Sequence, residues 1–189
     1  MYKTIVNTLV TRSILPIIII GIAWVQEVLD NVFFGGKWIF TAGRGEPLYL
    51  IVFSWFSHGS IWHLFGNTVV FLPLSWLVLT KGIRNYFSIW LCVFFGKLIN
   101  QIFWPEPAHG ISDIVYGLLG YLIIIGILEK RVLSISLTFL TIIVYGYMVA
   151  DLLPWNVAPG VSWLGHFSGF IGGIVSAFGT YREPEIRNK

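Results

Sequence analysis

The chain has 189 residues, 56% of them hydrophobic and only 11% charged, with a mean hydropathy of +0.79. A water-soluble domain would carry about a quarter charged residues, so lipid is the expected main solvent. The net charge of +3 is small and dispersed, which argues against nucleic acid as a partner, and the single Cys92, set in an apolar run, excludes a disulfide framework.

The first apolar run, residues 14–29, follows Lys3 and Arg12 and ends without a small-x-small cleavage site. It reads as a retained span rather than a removed signal. The stretch after it is the longest between spans. It holds Phe33, Phe34, Trp38, Ile39, Phe40 and the turn Gly43-Arg44-Gly45. That density of aromatics suits a segment lying in the membrane interface. Further spans are expected over residues 63–79, 87–103, 112–128, 132–150 and 163–178, each near the ~20 residues a crossing helix needs. None alternates with the period of two that marks a barrel strand. The expected fold is an all-α membrane protein, a six-helix bundle forming one membrane domain over residues 1–189 with no polar linker.

Charge gives this bundle an expected direction. Lys3, Arg12, Lys81, Arg84, Lys130, Arg131, Arg182, Arg187 and Lys189 fall on one side, which is nine of the twelve basic residues. The other side receives Lys37, Arg44 and Lys97, with Asp30, Glu46, Glu106 and Asp151. The positive-inside rule then puts both termini in the cytoplasm. Spans two, four and six run inward from the outer face, and each begins with polar residues: His63 and Asn67, Ser112, and His166.

Polar side chains at that depth are expensive and mark function by default. A serine needs a base within hydrogen-bond reach to become a nucleophile, and His166 is the candidate. Gly169 and Gly173 lie on its helical face, and Gly117 and Gly120 on the serine's helix, so the two helices can approach closely. Acyl transfer also needs donors for an oxyanion. His63 and Asn67, four residues apart, share a face, and the Ser112 backbone amide at a helix start has no intrahelical partner. Tyr116, one turn beyond Ser112, can stack beneath the base. His58 reads as a structural hydrogen bond tying loop to helix. His109, beside Pro105 and Pro107, receives no role.

The pattern His58-x4-His63-x3-Asn67, then Gly110-Ile111-Ser112 with Tyr116-Gly117-Leu118-Leu119-Gly120, then His166-x2-Gly169-x3-Gly173 resembles the rhomboid family of intramembrane serine proteases, in its minimal six-helix prokaryotic form. The resemblance implies a Ser112–His166 dyad without a third acid, and an oxyanion site of His63, Asn67 and the Ser112 amide. It also implies a water-filled cavity toward the outer face, no metal or organic cofactor, and an aromatic first loop lying partly in the membrane. Its partners would be transmembrane protein substrates within the bilayer of a prokaryotic plasma membrane.

Two positions depart from the family pattern. Asp113 follows the serine where glycine is common, and Ser75 stands eight residues after Asn67 where glycine is often found. An acid at 113 could be solvated in the cavity, bind a partner, or approach the base and raise its pKa. The alternatives to a protease are a rhomboid-like pseudoprotease that binds helices without cutting, and a histidine-ligated redox or metal protein, which leaves Ser112 and Asn67 unexplained.

Overall fold

The computed structural model describes residues 2–104 and 107–181, with side chains from residue 10 onward. Glu106, Arg182, Arg187 and Lys189, and the Lys3 side chain, which enter the charge count, lie outside this description. Six long helices and one short one follow in order: α1 (Tyr2–Leu29), α2 (Leu50–Phe53), α3 (Ile61–Lys81), α4 (Ile83–Phe103), α5 (Ser112–Glu129), α6 (Val132–Tyr145) and α7 (Trp163–Thr180). Among the described residues no strand forms, and one isolated bridge pairs Ala42 with Ala108. The architecture is the expected all-α bundle.

Five of the helical segments are long and apolar enough to cross a bilayer. The sixth long helix, α7, has the same 18-residue length as α5. Its His166, Ser168, Ser176 and repeated glycines dilute its apolarity. The apolar segment over 132–150 is not one uniform helix. It tightens into a 3-10 turn over Gly146–Leu152, beginning at the residue with the poorest helix propensity of that run.

The bundle is organised around α5. Of its residues 67% are buried, against 22–28% in the other apolar spans, so those helices keep broad faces toward lipid while α5 is enclosed by protein. The cause is visible at the glycines. A β-carbon on Gly169 would collide with the Asp113 carbonyl, one on Gly173 with the Gly117 carbonyl, and one on Gly120 with the Phe170 carbonyl. Helices α5 and α7 therefore run parallel with backbone against backbone, stepping together every four residues. Helix α4 lies antiparallel to α7: Gly96 meets Ser168, and Gly172 meets Val93. Ser75, the second departure, is buried and within 3.3 Å of the Tyr86 hydroxyl, a packing role between α3 and α4.

The first loop is folded back on α1. Helix α1 ends in a π-turn, Asp30–Phe34, closed by Gly35 in the left-handed region at φ +63°. The Asp30 Oδ1 accepts from the Trp38 N–H at 2.7 Å, and Gln26 Nε2 donates to the Trp38 carbonyl at 2.8 Å. Phe34, Trp38, Phe40 and Phe53 then form a chain of ring contacts at 5.0–5.8 Å. Beyond them Ala42 and Ala108 exchange two backbone hydrogen bonds of 2.9 Å. The loop is thereby joined to the segment that leads into Ser112.

Candidate active site

Three helix starts build the site. Ser60 caps α3, accepting from the His63 N–H at 3.2 Å, and Ser162 caps α7, accepting from the Gly165 N–H at 3.1 Å. Helix α5 differs: its N-cap is Ile111, with no capping side chain. In its first turn, Asp113 Oδ1 accepts from the Ile114 N–H at 2.8 Å, and the Ser112 amide has no carbonyl four residues behind it within the helix. The turn before it depends on Gly110, whose φ of +94° disfavours any side chain. A β-carbon there would also sit 3.3 Å from His63 Cε1. Gly110 donates its N–H to the Ser54 carbonyl at 2.8 Å.

Ser112 opens onto a cavity of about 290 Å³ whose walls include His63, Lys97, His109, Gly110 and Ser162. His63 is bracketed by two other imidazoles, His58 edge-on at 5.2 Å and His109 at 6.3 Å. Asn67 does not line this cavity, but its Nδ2 is buried without a hydrogen-bond partner. An unpaired buried donor is costly, so this amide is poised to receive an acceptor. His58 is 1% exposed and neither ring nitrogen makes a well-formed hydrogen bond. The ring engages the Phe56 backbone in the turn before α3, and burial together with the neighbouring His63 lowers its pKa to about 3. Burial also lowers that of His109.

His166 is buried and lies flat on Tyr116, with ring centroids 4.1 Å apart and planes 20° apart. Its Nδ1 is 3.3 Å from the Asp151 carbonyl. The Asp151 carboxylate accepts from the Tyr116 hydroxyl at 3.1 Å. One residue in the 3-10 turn after α6 thus holds both stacked rings. With Nδ1–H aimed at a carbonyl, Nε2 is the nitrogen left to accept a proton. The Ser112 hydroxyl and this ring belong to facing turns of α5 and α7, and no hydrogen bond joins them among the described residues.

Asp113 is among the residues that line the cavity, and its carboxylate is paired within the protein. Its carboxylate is 3.0 Å from Lys97 Nζ and accepts from the Trp55 indole N–H at 2.9 Å. Asp113 and Lys97 are 4% and 6% exposed, and the ammonium also lies 5.6 Å from the Trp55 ring centroid. This buried triad binds α4, α5 and the turn before α3 together directly behind Ser112. Sequence reading missed Lys97, Trp55 and Asp151. The signal for the first was present: opposite charges inside two apolar runs pair with one another.

The family model described as Rhomboid domain matches residues 45–183. Uncharacterized proteins of Mycobacterium tuberculosis and Mycobacterium bovis are each 28% identical over 144 residues, covering 71% of this chain and 60% of the relative. One from Mycobacterium leprae is 30% identical over 146 residues, covering 71% of this chain and 57% of the relative. The chain spans about three fifths of the length of these relatives. No solved structure matches it.

Proposed function

The chain belongs to the rhomboid family of multi-pass membrane proteins, and we propose that it is an intramembrane serine endopeptidase that cuts transmembrane segments near the outer face of the bilayer. The observation that carries this reading is His166 itself. It is stacked on Tyr116, directed by the Asp151 carbonyl, and borne by a helix locked in register with the helix that Ser112 starts.

In the proposed reaction Ser112 Oγ attacks the scissile carbonyl and passes its proton to His166 Nε2. The tetrahedral oxyanion receives hydrogen bonds from the Ser112 amide, the unpaired Asn67 Nδ2 and His63. The imidazolium then protonates the departing amine, leaving an acyl-Ser112 ester. Water, deprotonated by His166, hydrolyses that ester and restores the serine. A peptide carbonyl inside an intact helix is already hydrogen-bonded, so the substrate must unwind at the cut, favouring small and helix-breaking residues there.

A second reading, a helix-binding pseudoprotease, is favoured by the lack of a Ser112–His166 hydrogen bond. Such bonds are often long before substrate arrives. One experiment separates the two. Purified protein is treated with a fluorophosphonate probe and incubated with a panel of single-span substrates. Labelling and cleavage are expected in the wild type and absent in Ser112→Ala and His166→Ala. An unlabelled wild type that binds but never cuts supports the pseudoprotease, and cleavage persisting in Ser112→Ala overturns the dyad.

A further inference from the structure

At the opposite end of α5 from Ser112 is a second polar cavity, of about 340 Å³, lined by Lys81, Arg84, Asn85, Glu129, Arg131 and Thr180, with Tyr181 at its edge. The ends of α3, α5 and α7 meet the starts of α4 and α6 there. Its charges do not cancel. Lys81 binds the Glu129 carboxylate and donates to Ser134 Oγ at 2.8 Å, so the one acid is already neutralised by the one lysine. Asn85 is likewise occupied, donating to the Tyr121 hydroxyl at 2.7 Å. Arg84 and Arg131 remain; Arg131 also adds its charge to the field on Glu129, but neither guanidinium forms a close ion pair with a carboxylate among the described residues.

Two guanidinium groups on one cavity form a fork-shaped donor set that matches phosphate oxygens. What surrounds the cavity narrows the ligand. Ile83, Ile127, Val132 and Phe178, on the helices that frame it, are 38%, 64%, 83% and 59% exposed. A soluble phosphate compound has no use for those flanks, whereas acyl chains do. Helix ends of a spanning bundle also lie at headgroup level, where basic pockets between helices take anionic lipid headgroups.

We propose that this cavity is a binding site for an anionic phospholipid, with its phosphate held by Arg84 and Arg131 and its chains running along the exposed apolar side chains of α4, α5, α6 and α7. The site is independent of the proteolytic chemistry, and its test needs no activity. Detergent-purified protein is mixed with phosphatidylglycerol or phosphatidylcholine, and bound lipid is counted by native mass spectrometry. Melting is followed in parallel, with inorganic phosphate as a separate arm. Phosphatidylglycerol is expected to bind about tenfold tighter than phosphatidylcholine. The preference should vanish in Arg84→Gln/Arg131→Gln and survive in Lys130→Gln, a neighbouring cation outside the cavity. Equal retention of both lipids, an undiminished preference in the double variant, or an equal loss in Lys130→Gln would overturn the site. Stabilisation by inorganic phosphate matching that by lipid would overturn the lipid assignment. If the double variant fails to fold, salt decides on the wild type: a preference unchanged between about 0.05 M and about 0.5 M salt rules out guanidinium–phosphate contact.

Discussion

Asp113 and Lys97 form a buried ion pair 3.0 Å long, one residue from the proposed nucleophile. Removing one partner of such a pair leaves a bare charge in the interior, which destabilises by about 3–5 kcal/mol, whereas removing both is often neutral. Lys97→Met and Asp113→Gly are each expected to lower the melting temperature sharply in detergent. Lys97→Met/Asp113→Asn should recover most of the loss. Single variants as stable as the wild type would mean that the pair does not hold α4 to α5.

The flat contact between Tyr116 and His166 separates two contributions of the tyrosine. Tyr116→Phe keeps the ring under the imidazole and gives up only the bond to Asp151, whose side chain is half-buried and can take water instead. Tyr116→Ala removes the surface on which His166 rests. Cleavage by the phenylalanine variant should stay within about threefold of wild type, and the alanine variant should lose about tenfold or more, since small misplacements of a catalytic group are expensive. Equal losses in kcat would place the effect in the hydroxyl rather than the stack.

Glycines on α7 offer a test with an internal control. Gly169→Ala and Gly173→Ala each drive a methyl into the α5 backbone, and overpacking of this kind costs about 1–3 kcal/mol or more. Gly179, on the same helix, has nothing within 4 Å of where its β-carbon would sit. Gly179→Ala should therefore raise stability, by about 0.5–1 kcal/mol from helix propensity alone. Thermal denaturation of the three variants checks the contrast in sign.

Burial of His58 predicts acid lability. Its pKa is lowered from 6.5 to about 3 in the fold, so below pH 6.5 the unfolded chain takes up a proton that the folded chain refuses. Stability is complete above pH 6.5 and falls as the pH drops toward 3, by on the order of 4 kcal/mol over the whole window. His109, also lowered, acts in the same direction. Melting temperatures of the wild type should decline between pH 7 and pH 5, and His58→Phe, which keeps a ring beside His63, should decline less. Identical slopes would remove His58 as the cause.

Much of the proposed site is legible in the chain because it places polar residues where apolar ones are expected. Ser112 is the first residue of α5, His63 the third of α3 and His166 the fourth of α7, each conspicuous at the head of a hydrophobic run. Partners set by tertiary contact were not legible in the same way. Lys97 looked like a stray basic residue because nothing local says which helix it faces. Asp151 acts on His166 through its carbonyl, an atom every residue possesses. The Ala42–Ala108 bridge is made by backbone alone and has no side-chain signature. His58 engages the backbone of Phe56, in the turn before α3, and lies edge-on to His63, contacts that the sequence alone does not specify.

The contact of α5 with α7 has a consequence for how this chain can change over time. Serine and histidine are indexed to one another by main-chain atoms at Gly169, Gly173, Gly117 and Gly120, not by a jigsaw of bulky side chains. Lipid-facing positions are then free to drift among apolar residues without altering the spacing of the two groups. A side chain at any of those four glycines would instead collide with a neighbouring helix.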